Sequence, residues 1–153
     1  MLRVGVISDT HGLLRPQALA QLAGSDYIIH GGDIGNPDIL EQLAAIAPLT
    51  VVRGNNDRAP WARSIPASAI LELGGVQLYA LHNIQELAID PAAAGVRAVI
   101  YGHSHAPKAH WRGDVLYLNP GSAGPRRFKL PVSIAELLVD GPVVRARIIE
   151  LDI

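Results

Sequence analysis

The chain is organised around Val4-Gly5-Val6-Ile7-Ser8-Asp9-Thr10-His11-Gly12, a short apolar strand that runs directly into a polar turn. The strand carries no polar residue on either face, which predicts burial on both sides. Asp9 and His11 follow it at once, and in open α/β sheets ligands bind at the carboxyl ends of strands. A carboxylate beside an imidazole suits a borderline divalent cation. Both residue types are also common in turns, so the rest of the chain decides between a ligand pair and a plain turn.

Length and composition favour one α/β domain that spans residues 1–153. Hydrophobic residues make up 49% of the chain and charged residues only 18%, which is typical of a compact protein with a sizeable core. The formal net charge is −1, so a surface that tracks the phosphates of extended nucleic acid is not indicated. A nucleotide as a small substrate stays open.

The chain contains no cysteine, so any metal ion must be held by oxygen and imidazole ligands. The N-terminus enters a strand without a basic segment followed by an apolar one, and no apolar run approaches the ~20 residues of a membrane span. We therefore expect a cytoplasmic protein with no membrane partner.

The first half of the chain alternates strands and helices. Pro16 opens a predicted helix over residues 17–22, and a strand over 27–30 follows. Asn36 and Pro37 are typical of an N-cap and a first helical position, and we expect that helix to continue until Pro48. A third strand covers 49–52. The two crossovers predict parallel strands whose polar turns share one edge of a sheet.

The second half is richer in strands. Gly74-Gly75 joins two apolar runs, 69–73 and 76–81, which is a hairpin pattern. Asp90-Pro91 predicts a short helix that ends at Gly95. Further strands are predicted over 98–101, 115–118, 132–139 and 143–151. The change from crossovers to meanders predicts a mixed sheet or two packed sheets with helices outside.

Seven polar residues stand where predicted strands end, and most of them neighbour a glycine. All seven are acidic, amide or imidazole side chains, which together form a ligand set for two divalent metal ions. Each of these residues taken alone could be an ordinary turn residue or a buried histidine. Such ordinary roles do not readily explain why seven of them stand at strand ends. The seven are Asp9, His11, Asp33, Asn55, His82, His103 and His105.

Five motifs, in this order along the chain, resemble those of the calcineurin-like metallophosphoesterases. They are Asp9-x-His11, Gly32-Asp33, Gly54-Asn55-x-Asp57, the strand-end His82 and Gly102-His103-x-His105. The short chain and the element Asn119-Pro120-Gly121-Ser122 are similar to the small prokaryotic branch, the YfcE-type phosphodiesterases. The resemblance implies a four-layer α/β/β/α sandwich with two mixed sheets and a dinuclear metal site at one edge.

The resemblance also implies a role for each ligand candidate. Asp9, His11 and His105 would hold the first metal ion, and Asn55, His82 and His103 the second. Asp33 would bridge the two ions. Manganese is the first expectation, with nickel, iron, zinc or cobalt as alternatives. A hydroxide between the ions would attack the phosphorus of a small phosphodiester.

The sequence departs from the family pattern at two positions. Many relatives have a histidine where this chain has Asn56, and an asparagine cannot give up a proton at neutral pH. Relatives also continue the His82 motif with Gly-His, whereas this chain has Asn83-Ile84. Asn56 and Asp57 are our candidates for catalytic residues, Asp57 as an alternative acid. The departures bear on substrate class and rate more than on metal binding.

For some further residues the sequence leaves more than one interpretation open. His30 could orient Asp33 or be a hydrogen-bonded core histidine. Trp61 could wall a substrate cleft, pack in the core or contact another subunit. Arginines at 53, 58, 126 and 127 could contact phosphate, or they could be surface charges or form pairs between subunits.

The resulting prediction is a metal-dependent phosphoesterase that favours small phosphodiesters over monoesters and acts on no extended nucleic acid. The rival is a weakly active or inactive protein-interaction scaffold on the same fold, of which the eukaryotic retromer subunit is an example. Completeness of the metal shell distinguishes the two, and all seven positions here carry ligating side chains. By analogy with the family we also expect a homo-oligomer.

Overall fold

The computed structural model describes residues 1–153 and arranges them as two five-stranded mixed sheets. The first sheet has the order β10-β9-β1-β2-β3, with β1 Leu2–Ile7, β2 Tyr27–His30, β3 Leu49–Val51, β9 Ser133–Asp140 and β10 Val143–Glu150. The second has the order β4-β5-β6-β8-β7, with β4 Ser68–Leu73, β5 Val76–Leu81, β6 Val96–Ile100, β7 Lys108–Arg112 and β8 Val115–Asn119. Two α-helices accompany them, α1 Pro16–Leu22 and α2 Pro37–Ala44. No helix in the chain is long and apolar enough to cross a membrane.

The crossovers predicted for the first half are confirmed. Strands β1, β2 and β3 pair in parallel, and α1 and α2 connect them. Helix α2 begins as expected, because the Asn36 side chain accepts a hydrogen bond of 2.9 Å from the Asp38 N–H. It ends at Ala44, before the expected boundary at Pro48.

The hairpin of β4 and β5 is also confirmed, but the helix predicted from Asp90 to Gly95 is wrong. That segment is a run of turns with one α-helical hydrogen bond, from the Ala94 N–H to the Asp90 carbonyl at 3.0 Å. Pro91 and Gly95 stand only four residues apart, little more than the 3.6 residues of one helical turn. Gly95 then takes a φ of 77°, so the helix cannot continue. A 3-10 turn at Ile84–Glu86 precedes this segment.

Three apolar clusters hold the layers together. The largest lies between the sheets, where Val4 and Val6 of β1 face Leu78 and Leu118 of the second sheet. A second cluster lies between the first sheet and the two helices and includes Ile7. The two-sided burial predicted for β1 is therefore confirmed. The third cluster covers the outer face of the second sheet, where the irregular segment 84–89 replaces the expected helical layer.

The parallel strands bring the polar turns together. In the first sheet β1, β2 and β3 point the same way, and in the second sheet β5, β6 and β8 do. The turns after β1, β2 and β3 meet the turns after β5 and β6 at one end of the sandwich, as hydrogen bonds between them show. One example is the bond from the His103 N–H, after β6, to Asp9 Oδ2, after β1, at 3.1 Å. The fold thus gathers the strand-end residues at a single edge.

Candidate metal centre

The turns at this edge have an unusual backbone. Six residues other than glycine have a positive φ, and five of the six are ligand candidates. The left-handed region costs a residue with a side chain about 1–3 kcal/mol and is held where the surrounding structure enforces it, often at functional sites. Asp and His accept this conformation better than most residues. The five are Asp9 (54°), His11 (45°), Asp33 (58°), His103 (73°) and His105 (64°).

Asp9 lies at the middle of the site and is completely buried. Its Oδ2 accepts hydrogen bonds from the Ser8 hydroxyl at 2.7 Å and from the His103 N–H at 3.1 Å. Its Oδ1 has no hydrogen-bond partner. Three imidazole Nε2 atoms surround that oxygen, at 3.4 Å (His105), 3.7 Å (His11) and 3.9 Å (His82).

Asp33 is the second carboxylate of the site and is 3% exposed, so it too is shielded from water. Its Oδ1 accepts a hydrogen bond from the Asn56 N–H at 2.9 Å, and its Oδ2 accepts one from the Asn56 side chain at 3.1 Å. The same Oδ2 lies 3.2 Å from His82 Nε2 and 3.6 Å from His11 Nε2. Asp33 therefore stands between the two histidines that the family resemblance assigns to different ions.

Asn55 and His103 complete the group on its exposed side. The Asn55 Oδ1 lies 3.1 Å from His103 Nδ1, and the His103 ring packs edge-on against the His82 ring with centroids 5.2 Å apart. His11 and His105 stack on the other side, also at 5.2 Å. The structure thus brings all seven residues predicted from the sequence into one cluster.

The residues present fit metal ions. His82 Nδ1 lies 2.7 Å from the Gly31 carbonyl, which can only accept, so Nδ1 carries the proton and the lone pair of Nε2 faces the cluster. Metal-binding histidines use this arrangement to fix their orientation. Ligand atoms about 2.0–2.2 Å from one ion are themselves about 3–3.5 Å apart, close to the separations around Asp9 and Asp33. Burying the unpartnered Asp9 Oδ1 and His82 Nε2 is unfavourable unless a cation satisfies them.

The electrostatics favour cations as well. Burial raises the pKa of Asp33, but the His82 side chain and the Asn56 N–H outweigh it and hold that pKa well below its usual range. Burial likewise opposes ionisation of Asp9, yet the nearby His11 imidazole and the hydrogen bond from the Ser8 hydroxyl lower its pKa overall. Both carboxyls are therefore ionised at neutral pH, so a double negative charge stands among the imidazoles of the cluster.

The two candidate catalytic residues lie in different surroundings. Asn56 is exposed and its side-chain amide faces Asp33, at the rim of the cluster. Asp57 is 4% exposed and points away from the imidazoles into the backbone. Its carboxylate accepts hydrogen bonds from the N–H groups of four residues, which are Asp33 (2.9 Å), Ile34 (2.9 Å), Gly35 (3.4 Å) and Gly54 (2.8 Å).

These hydrogen bonds join the turn that carries Asp33 to the turn that carries Asn55. Gly54 is needed at this junction, because a Cβ there would collide with the Asp33 carboxylate and backbone. The motif Gly54-Asn55-x-Asp57 therefore combines a close approach of two turns with the carboxylate that fastens them. Because the oxygens of Asp57 are occupied by N–H donors, the contacts favour a positioning role for this residue.

His30 has a similar function between the first two turns. It is completely buried, its Nδ1 accepts from the Gly32 N–H at 3.0 Å, and its Nε2 lies 3.1 Å from the Thr10 hydroxyl. That hydroxyl donates to the Ile34 carbonyl at 2.8 Å, so Nε2 must carry the imidazole proton. Burial lowers the pKa of His30 to about 4. Of the two interpretations, the hydrogen-bonded core histidine is the one observed.

Several residues support the centre although nothing in the sequence predicted a role for them. The Asn119 side chain donates to the Gly102 carbonyl at 3.1 Å and thereby fixes the turn of His103. The Ser122 hydroxyl donates to the Asp9 carbonyl at 3.0 Å. Both belong to the element Asn119-Pro120-Gly121-Ser122, which the sequence marked as a family feature without assigning it a role.

A cleft of about 190 Å³ opens beside the cluster, next to Asn55 and His82. Arg53, Asn83 and Glu86 supply its polar walls. Trp61 is not among the lining residues; it is partly buried and packs against the cluster beneath the helices.

Comparison with known proteins agrees with this geometry. A model of the calcineurin-like phosphoesterase superfamily domain matches residues 2–141. The chain is 32% identical to "Probable metallophosphoesterase" of Methanothermobacter thermautotrophicus, over 95% of this chain and 91% of that one. It is 28% identical to phosphodiesterase YfcE of Escherichia coli, over 80% and 79% of the two chains. The crystal structure of Chaetomium thermophilum Vps29 has a similar fold, with a TM-score of 0.79, 18% identity and coverage of 99% and 97%.

We expect Asp57→Asn to weaken the contact between the turns of Asp33 and Asn55 rather than to act directly on the reaction. The new amide can accept through only one atom and faces backbone N–H groups with its own donors, which should lower the free energy of unfolding by about 1–3 kcal/mol. Metal affinity should fall by about 10–100-fold, as when outer hydrogen-bond partners of metal ligands are lost. Chemical denaturation and metal titration measure both effects.

The matched control is Asp38→Asn, which changes an exposed carboxylate at the start of α2 and should leave both quantities nearly unchanged. An Asp57→Asn protein with normal stability and metal affinity but a reduced rate at saturating metal would assign Asp57 to proton transfer instead.

Proposed function

Because this chain belongs to the calcineurin-like phosphoesterase superfamily, we propose that it hydrolyses small phosphodiesters with the help of two divalent metal ions. The observation that carries the proposal is the pair of buried, unpartnered atoms, Asp9 Oδ1 and His82 Nε2, inside a doubly negative cluster. An inactive scaffold would have no use for strained turns that collect seven ligating side chains at one place.

The candidate ligand atoms fall into two groups, and Asp9 belongs to both. Asp9, His11 and His105 form one group whose ligand atoms lie within 4.8 Å of one another, and Asp9, Asp33 and His82 form the other. Asn55 and His103 extend the second group toward solvent. Asp33 Oδ2 lies within reach of His11 and His82, which supports a bridging role for this carboxylate. Oxygen and imidazole ligands suit manganese, with nickel, iron, zinc and cobalt as alternatives.

Divalent ions held there would lower the pKa of a bound water and offset the charge that develops on the phosphoryl oxygens. The residues of the chain supply orientation. Gly31 fixes the tautomer of His82, Asp57 holds the turns of Asp33 and Asn55 together, and Ser8 and the His103 N–H leave only one Asp9 oxygen free. Such preorganisation means that little has to rearrange during the reaction.

Asn56 determines whether the site can protonate the leaving group. Its amide donates a hydrogen bond at the rim of the cluster but has no proton to transfer near neutral pH. A group that leaves as a stable anion needs no proton, whereas an alkoxide does. The site therefore suits phosphodiesters with good leaving groups.

The scaffold alternative rests on the likeness to Vps29, which at 18% identity concerns the fold alone. It predicts a protein that binds a partner and turns over no ester. Hydrolysis of a phosphodiester by the metal-loaded protein distinguishes the two functions.

We expect the protein loaded with manganese to bind close to two ions per chain and to hydrolyse bis(p-nitrophenyl) phosphate. Asp33→Ala removes the proposed bridge, so it should lose at least one ion and at least about a hundredfold in rate. Metal analysis after desalting and a p-nitrophenolate assay measure the two quantities. The control Asp114→Ala removes an exposed carboxylate in the β7–β8 turn. Full activity of Asp33→Ala would refute the assignment.

Asn56→His should change the dependence on the leaving group. Positioned acid catalysis contributes about 10²–10⁴-fold, so the variant should accelerate alkyl diesters much more than p-nitrophenyl diesters. The plot of rate against pH should also gain a limb near neutral pH, because an imidazole titrates in that range. A series of diesters that differ only in leaving-group pKa measures the effect. If the natural protein shows no dependence on that pKa while chemistry limits the rate, our account of Asn56 is wrong.

A further inference from the structure

A short basic segment beside the metal centre has no structural role in the chain itself. We call residues 126–129 the basic arm, and they are Arg126, Arg127, Phe128 and Lys129. All four are exposed, and Phe128 is the most exposed large hydrophobic residue of the chain, at 88%. The arm follows the buried element Ser122–Gly124 and precedes the return of the chain into β9.

The base of the arm is fixed to the turn that carries Asp9. The Ser122 hydroxyl donates to the Asp9 carbonyl at 3.0 Å, and the Ala123 N–H donates to the Ser8 carbonyl at 3.1 Å. Gly124 packs so closely that a Cβ there would collide with the Thr10 carbonyl. The side chain of Arg15 donates to the Gly124 carbonyl at 3.1 Å. The arm therefore starts from the wall of the metal centre and cannot move far from it.

The three cations of the arm have no partner within the chain. None of them forms an ion pair or a side-chain hydrogen bond, and no acidic residue occurs between Asp114 and Glu136. Arg127 follows Gly124 by three residues, and the Gly124 backbone packs against Thr10, which stands between the ligand candidates Asp9 and His11. In a chain with a net charge of −1, this places a local excess of positive charge next to the turn that carries Asp9 and His11.

Phe128 is not only exposed but also has a strained backbone conformation. Its φ of 55° makes it the sixth non-glycine residue in the left-handed region, and the other five are the ligand candidates. A bulky aromatic residue is a true outlier there, unlike Asp or His. The Leu130 N–H closes the turn onto the Arg127 carbonyl at 3.1 Å and so presents Phe128 outward. Neither burial nor packing compensates for this conformation, as is usual where strain has a function.

We propose that the basic arm binds the part of the phosphodiester that is retained after cleavage, and that this part is aromatic and anionic, as in a nucleotide. Phe128 stacks on the ring, and Arg127 attracts the phosphate group while it approaches the centre. The cleft beside Asn55 and His82, on the opposite side, is then left for the departing group. This inference rests on the proposed function, because it needs a phosphodiester at the metal centre.

Three diesters with the same leaving group test the arm. The p-nitrophenyl esters of thymidine 5′-phosphate, phosphocholine and methyl phosphate differ only in the retained part, so differences in rate do not arise from the leaving group. We expect the manganese-loaded protein to prefer the thymidine ester. Phe128→Ala should raise KM for that ester about tenfold, as the loss of one stacking contact does, and leave the methyl ester unchanged.

Arg127→Gln should lower kcat/KM for the thymidine ester and weaken its dependence on salt, because the attraction of the anion is screened. It should affect the phosphocholine ester least, since that ester carries its own positive charge. The matched controls are Ile70→Ala and Arg145→Gln, which alter an exposed aliphatic residue on β4 and an exposed arginine on β10. Neither should change the preference among the three esters.

Calorimetric binding of thymidine 5′-phosphate, the retained part itself, provides a readout that needs no turnover. We expect Phe128→Ala and Arg127→Gln each to weaken this binding about tenfold relative to the natural protein. Unchanged binding and an unchanged preference among the esters would overturn the role of the arm, even if the enzyme is active. Failure to cleave any ester would overturn the proposed function, and the binding result would then still decide whether the arm recognises the nucleotide.

Discussion

Two ionised carboxylates, Asp9 and Asp33, are held next to each other away from water. The rest of the site compensates for the burial and mutual repulsion of these two negative charges. Hydroxyl, amide and backbone donors satisfy most of their oxygens, and three imidazoles surround the oxygen that remains. A buried double negative charge is stable only with cations or further donors close by. The parallel strands, the left-handed turns and the carboxylate of Asp57 all serve to place these groups, and metal ions are the partners that this arrangement lacks within the chain.

The sequence pattern was sufficient to predict the parallel strands and the meeting of their polar ends, because both depend on local features. The choice of two packed sheets over one mixed sheet came from the family resemblance. Strands β1, β2, β3 and β6 are each followed by polar residues near a glycine, and β5 ends directly at His82. Parallel pairing then brings those ends together. The N-cap of α2 was predictable for the same reason. The error at Asp90–Gly95 arose because capping residues were present while the segment between them was too short for a helix.

Features that depend on contacts distant in sequence were not predictable. Asp57 follows Asn56 in the sequence, but its carboxylate binds N–H groups 22–24 residues away, and nothing in the sequence distinguishes such a residue from a proton donor. The tautomer of His30 depends on the turn after β1. The strain at Phe128 is likewise a property of the folded loop alone. In each case the residue type was visible in the sequence, and only its surroundings gave it a role.

The central claim is that these side chains hold two metal ions that share a carboxylate. Electron paramagnetic resonance of the protein with two equivalents of Mn²⁺ tests it most directly, because ions about 3.5–4 Å apart are magnetically coupled. Our account predicts the spectrum of a coupled pair in the natural protein and its loss when the Asp33 carboxylate is removed. A spectrum of isolated Mn²⁺ ions at full loading of the natural protein would contradict it.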